Sequence, residues 1–469
     1  MGAMTVIRPR EREAILQSLR AGVVPRVGLR HIQVGRRDEV AAVLADLERM
    51  EQGAAAVRFF VGRFGSGKSF FLNLARMVAL DRRFVVLQAD VTTDRRLHGS
   101  SGVARTLYAE LMRNMATRAR PDGGALPNVV ERWVSALDHD VRAAGGGDGE
   151  VAQRIHELLK PLQEYVSGYD FAAVLQRYVE GFQKQDDALT GAALRWLRAE
   201  YSTRTEARQD LGVRSIIDDA DIYDYLKLFA AFVRMAGYAG LVVQMDELGV
   251  LSHRLNHSQA RNANYEMILR ILNDCLQGSV EGIGFHFAGT DAFLDDRRRG
   301  LSSYEALATR LADNPFSVQG RQDFSGPVIR LNNLSPEDLY VLLHNVRTVF
   351  AMGQPDRFLL DDDGIRAFLT HCARTLGADY FRTPRDAVKG FVGFLSVLEQ
   401  NPGTDWRTLL PEVALTATPD LETPAFAAPA APPAPVEAPL DSTNPTPASC
   451  LAVEDAPAGD VDDLKTFRL

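Results

Sequence analysis

The chain has 469 residues, 46% of them hydrophobic, and carries 61 acidic against 53 basic side chains, a net charge of −8. That length supports two or three domains with a substantial core, and no run of about 18 apolar residues is present to cross a membrane. Ten acidic and two basic residues lie from Pro411 onward, which leaves 51 of each sign in residues 1–410; bulk charge neither repels the folded part from nucleic acid nor draws it there. Met1-Gly2-Ala3-Met4 opens no signal peptide. Cys275, Cys372 and Cys450 stand far apart with no CxxC pair, which fits a reducing cytoplasm and argues against a zinc site.

Arg12 to Arg20 carries a helical apolar pattern that Gly22 closes. Gly35-Arg36-Arg37-Asp38-Glu39 is a turn into an amphipathic helix from Val40 to Met50. Val57 to Val61 then reads as a buried strand, and Gly62-Arg63-Phe64-Gly65-Ser66-Gly67-Lys68-Ser69 has the spacing of a phosphate-binding loop. Glycines let successive N–H groups turn inward around an anion, and the helix that begins near Lys68 and Phe70 adds its positive end. Lys68 suits the β- and γ-phosphates of ATP, and Ser69 suits Mg²⁺. Arg83 to Val91 is a second strand, apolar enough for burial on both faces.

Residues 95–235 contain only helical patterns, at 103–115, 129–141, 151–165, 171–183, 188–201 and 222–234, with Gly123-Gly124 and Gly145-Gly146-Gly147 between them. This predicts a helical insertion with Trp133 and Trp196 in its core. Gly240 to Glu247 follows as four apolar residues and a terminal Asp246-Glu247. In this pattern Asp246 holds Mg²⁺ through its waters and Glu247 polarises the attacking water. After a helix at 261–276, Gly282 to Asp291 forms another buried strand, expected between that one and the phosphate loop. Thr290 or Asp291 then faces the γ-phosphate, and His286 is a core histidine. Arg297-Arg298-Arg299 is either a solvated face or a phosphate-backbone contact. Arg310 resembles in its place the residue that origin-recognition-type AAA+ proteins use as an arginine finger for a neighbouring site; the alternative is a surface ion-pair partner. Val328 to Leu331 is a short strand. Ser335 caps a helix with Pro336 at its first position, and helices at 336–350, 362–376 and 384–399 form a lid. From Pro411 to the end, Pro, Ala and acidic residues without periodicity predict a disordered tail.

Leu19-Arg20 to Pro25, Gly35-Arg36, the loop at 62–69, Gly240 to Glu247, Ala288-Gly289-Thr290, Tyr304 to Leu311 and Arg382-Thr383-Pro384-Arg385 together resemble the ATP-binding proteins of bacterial phage-defence loci of the BREX type. The likeness spans about Glu11 to Gln400. It implies an α/β P-loop NTPase of AAA+-like (origin-recognition or STAND) type: a parallel sheet, a large helical insertion and a C-terminal three-helix lid. In such proteins the segment before Gly35-Arg36 packs on adenine, and a lid arginine, here Arg385 with Arg382 as the alternative, reaches the nucleotide. The expected domains are 1–94 and 236–332 for nucleotide binding, 95–235 for the insertion, 333–400 for the lid and 401–469 for the tail. The implied cofactors are ATP and Mg²⁺. The implied partners are other defence proteins, DNA indirectly or through an assembled ring, and further copies of the chain in the presence of ATP. Two functions compete: an ATP-hydrolysing switch or motor, and a nucleotide-bound scaffold with little turnover that recruits effectors.

Overall fold

The computed structural model describes residues 7–317, 323–376 and 384–412. The tail predicted beyond these residues, and Arg382, lie outside them. Among the described residues no helix is long and apolar enough to cross a membrane. Five strands, β1 (Ala56–Val61), β2 (Val85–Asp90), β3 (Leu241–Asp246), β4 (Ile283–Gly289) and β5 (Val328–Arg330), pair in parallel in the order β2-β3-β4-β1-β5. The fold is that of a P-loop NTPase, with β4 between β1 and β3 as the sequence predicted.

Side chains alternate across a strand, so a sheet buried on both faces needs apolar residues at both parities. Phe59, Leu87, Val243 and Phe285 line one face, against the insertion; Phe60, Val86, Val242 and Ala288 line the other. Helices α1 (Pro9–Arg20), α2 (Arg37–Glu51) and α3 (Lys68–Asp81) precede β2, and α2 and α3 cover the second face. Three polar residues interrupt that face in register. Arg58, His286 and Gln244 lie side by side on β1, β4 and β3, and all three are buried. Gln244 Nε2 donates to the Leu72 carbonyl at 3.1 Å and lies 3.2 Å from His286 Nδ1. Burial lowers the His286 pKa to about 4, so the ring is neutral at ordinary pH. Arg58 pairs with Asp46 of α2 through two hydrogen bonds of 2.5 and 2.8 Å. The row therefore pins both α2 and α3 to the sheet by polar contacts, which fix position where apolar packing alone is tolerant of sliding.

Between β2 and β3 the chain forms α4 (Val103–Arg113), α5 (Leu126–Ala143), α6 (Asp148–Leu159), α7 (Gly168–Lys184), α8 (Asp187–Leu197), α9 (Arg204–Leu211) and α10 (Ile222–Met235). Trp133 packs edge-on to Phe232, Trp196 to Tyr225 and Phe171 to Phe229, with centroids 5.1–5.6 Å apart. Both tryptophans are core residues. The segment predicted as one helix over 151–165 stops at Leu159 and tightens into a 3₁₀ turn over Lys160–Glu164. Pro161 has no N–H to continue the α ladder. Helix α9 was not predicted, although Thr203 caps it by accepting from Glu206 N at 3.3 Å, a spacing the sequence displays.

After β3 come α11 (Gly249–His253) and α12 (Ser258–Leu276); after β4, α13 (Asp291–Asp295) and α14 (Glu305–Arg310). Beyond β5, α15 (Pro336–Phe350), α16 (Asp362–Leu376) and α17 (Pro384–Gln400) match the three predicted lid helices, and α18 (Trp406–Leu409) follows. Ser335 caps α15, accepting from Asp338 N at 3.0 Å. The lid core is shared with α1. Ile15 and Leu16 are buried with Leu343, Phe350, Phe391 and Leu395. Arg12 donates to Phe350 O at 2.7 Å and to Glu399 at 2.8 Å, and Arg20 to Ser396 Oγ at 2.8 Å. The N-terminal helix is thus part of the packing unit that the last helices build.

Removing one partner of a buried ion pair strands the other charge. Asp46→Ala, which orphans Arg58, is expected to cost about 3–5 kcal/mol, read as a fall in the urea midpoint at unchanged slope.

Candidate functional site

The carboxyl ends of β1, β3 and β4 converge on one edge of the sheet, where loops meet helix N-termini. Gly62 leaves β1 in a space that excludes a side chain: a Cβ there would lie 2.7 Å from Ser66 Oγ and 2.8 Å from the Leu331 carbonyl. Gly65 and Gly67 have φ of 79° and 92°, the left-handed region that glycine enters without strain. The loop closes with Ser66 N donating to Arg63 O at 3.1 Å and delivers the chain into α3. The first amides of α3 have no partners within the helix. Lys68 Nζ donates to the carbonyls of Gly62 and Arg63, both at 2.9 Å. Ser66 Oγ is buried and makes no hydrogen bond. Such an orphaned hydroxyl in a loop of inward amides is the environment an anion completes.

Asp246 ends β3 and is buried. Its Oδ2 accepts from Ser69 Oγ at 2.6 Å and its Oδ1 from the Glu247 amide at 2.8 Å. Glu247 adopts φ of 59°, an uncommon conformation for a residue with a side chain. That turn points its N–H back at Asp246 and leaves Glu247 exposed at the site's mouth. Ser69 and Asp246 thus stand together at the end of the loop, the two residues expected from the sequence to serve Mg²⁺, Ser69 directly and Asp246 through its waters. Among the described residues no group of three or more His, Cys, Asp or Glu side chains could hold a metal ion.

The other predicted site residues fall into two sets. Arg36 reaches the loop: its guanidinium donates to Ser66 O at 3.1 Å, to Asn332 O at 2.5 Å and to Glu39 at 3.1 Å. Gly35 and Arg36 have φ of 64° and 62°, two left-handed residues in succession that bend the chain sharply into α2. Arg385, at the start of α17, lies over the Phe64 ring at 5.0 Å, a cation–π contact between lid and phosphate loop. Phe70, in the first turn of α3, packs on the lid core. Thr290 follows β4 beside the loop, since Gly289 pairs with Val61, and its hydroxyl accepts from Phe293 N at 3.3 Å.

Asp291 and Arg310 stand apart from that constellation. Asp291 lies 3.8 Å from Arg330 at the end of β5, which also pairs with Asp295 and Asp313, each at 2.9 Å. Hydrogen bonds to Asp295 hold the Arg330 guanidinium further still in its charged form. Arg310 is exposed on α14, donating to Ala306 O at 2.9 Å in its own helix.

A family model, BREX system ATP-binding protein BrxC/D, matches residues 7–414. The chain belongs to this family. No match is found among curated proteins. Membership makes ATP the ligand and the BREX phage-defence system the setting. The loop with the orphaned Ser66 hydroxyl has the glycine spacing of a phosphate-binding loop.

Two contributors escaped the sequence reading. Arg330 is one arginine among many, and only the fold gathers three aspartates around it. Asp90, at the tip of β2, stands in register with Asp246; its pKa is raised, first by partial desolvation and then by the Asp246 carboxylate. The signal was present, since a buried strand that ends in a carboxylate repeats the pattern of β3.

Gly62→Ala drives a methyl group against a backbone oxygen that cannot rotate away. We expect it to lower ATP affinity at least tenfold in an equilibrium binding measurement, and wild-type affinity in this variant contradicts the geometry described.

Proposed function

We propose that the chain is a Mg²⁺-dependent ATPase whose nucleotide cycle moves the lid against the phosphate loop, within a BREX assembly in the cytoplasm. The observation that carries this reading is the 2.6 Å hydrogen bond from Ser69 Oγ to Asp246 Oδ2, with Glu247 next in the chain and exposed to the same edge. Lys68, Ser66 and the α3 amides bind and orient the phosphates, and Arg36 keeps the loop in shape from behind. Ser69 and Asp246 hold the metal. Bound Mg²⁺ supplies charge neutralisation at the phosphates. Glu247, at the carboxyl end of β3, orients the attacking water and accepts its proton. Thr290 supports the water from β4. Asp291 is part of the Arg330 cluster and serves it rather than the phosphate.

Arg385 and Phe64 give the lid a direct contact with the loop, so nucleotide that enters beside Phe64 changes what Arg385 touches. Exposed Arg310 is available to a second copy of the chain, which supports an ATP-dependent homo-oligomer. Other BREX proteins are the partners, with DNA as the object of the assembly.

Steady-state turnover of wild type, Glu247→Gln and Lys68→Ala, with and without duplex DNA, tests the proposal. Loss of a positioned base costs about 10²–10⁴-fold. Glu247→Gln is therefore expected to keep ATP binding and lose at least a hundredfold in rate, while Lys68→Ala loses binding. Equal turnover in wild type and Glu247→Gln, or none in wild type under any condition, favours the scaffold function instead.

A further inference from the structure

We propose that Asp90 is a positioning residue for the magnesium ion, holding one of the metal's waters beside Asp246. The assignment rests on the Mg²⁺·ATP reading of the site. β2 and β3 are parallel neighbours, and Asp90 and Asp246 are register partners at their carboxyl ends. Partners in register share a face, with strands about 4.8 Å apart. The face is the one α3 covers, because Gln244 and Asp246 both bond to that helix, at Leu72 O and Ser69 Oγ. Val91 N donates to Asp246 O at 2.9 Å, so the two tips are tied by backbone.

Two like charges side by side across a ladder destabilise a sheet. Among the described residues Asp246 is compensated by hydrogen bonds from Ser69 and the Glu247 amide, whereas Asp90 has only the longer-range attraction of Arg95 and Arg26. The Asp90 carboxylate makes no hydrogen bond or ion pair there, and the nearby Arg95 is 3.6 Å from Glu110 instead. Asp90 is also exposed, so packing does not require it. A carboxylate that costs stability at a functional edge fits a group whose counter-charge arrives with the ligand. Magnesium keeps several waters when bound by one or two carboxylates and phosphate oxygens, and side chains that hold such outer groups tune metal affinity. Asp246, bonded to Ser69, is the inner partner; Asp90, one strand further out on the same face, is placed for the water shell.

The test measures binding of a fluorescent ATP analogue to the full chain in EDTA and across a Mg²⁺ titration, for wild type, Asp90→Asn and Asp90→Glu. Mn²⁺ binding in the presence of ADP, followed by electron paramagnetic resonance, reads the metal without turnover. Outer-shell losses typically weaken metal affinity about 10–100-fold. Asp90→Asn is expected to raise the half-saturating Mg²⁺ and Mn²⁺ at least tenfold, with affinity in EDTA within about twofold of wild type. Asp90→Glu, which keeps the charge, is expected to recover most of that loss. Coincident metal titrations for wild type and Asp90→Asn overturn the assignment and leave the nucleotide site intact. A drop in EDTA affinity equal to the drop in metal affinity also overturns it, in favour of a purely structural role. Wild type that binds no nucleotide at all overturns the site reading first, and this assignment with it.

Discussion

The hydrogen bond between Ser69 and Asp246 joins two residues 177 positions apart, and the geometry of the whole edge depends on it. It exists because β4 lies between β1 and β3, which brings the helix leaving β1 over the end of β3. The contact has a second level. Three residues along α3, Leu72 O accepts from Gln244, two residues back along β3. One helical turn and one strand repeat are both near 5–7 Å, so the two bonds run in parallel and set the pitch of α3 against the sheet. Sliding either element breaks both. The phosphate loop is thus a short glycine-rich segment stretched between a strand and a helix whose relative position is already decided.

The chain crosses between sheet and lid at two places, before α2 and after β5, and Arg36 bonds to both sides. Its donors reach Ser66 O in the loop and Asn332 O on the path to α15. The Asp338 carboxylate of α15 lies 3.5 Å from where a Gly35 Cβ would stand, so the elbow at Gly35-Arg36 touches the lid as well. With α1 packed into the lid core, the N-terminal helix belongs to the lid's packing unit. The elbow is bonded to the glycine-rich loop through Arg36, so in the proposed cycle it links the lid to that loop. Phe70 and the Arg385–Phe64 stack give the same coupling from the front.

Much of this was legible in the sequence because it follows from local chemistry. Glycine spacing marked the loop, apolar runs marked the strands, and Ser335-Pro336 marked the start of α15. The strand order followed from the resemblance to a known family. What was not legible depends on partners that only folding supplies. The apolar face of α1 announces burial but not that lid helices cover it. His286 reads as a core histidine and Arg58 and Gln244 carry no signal of their own; the three become one buried row only when the register is known. Asp291 looked equivalent to Thr290 until Arg330 claimed its carboxylate. Asp90 drew no notice because its strand ends in a single carboxylate, without the Asp-Glu pair that marks β3.

The central claim is that ATP with Mg²⁺ occupies the edge formed by the loop at 62–69 and the end of β3. Amide hydrogen exchange on the full chain, with and without Mg²⁺·ATP, tests it most directly, since bound phosphate protects the amides it accepts from. The account requires strong slowing at residues 63–70 and at 246–248, with a smaller effect at the start of α17. Unchanged exchange in the loop under saturating Mg²⁺·ATP, or protection centred elsewhere in the molecule, contradicts it.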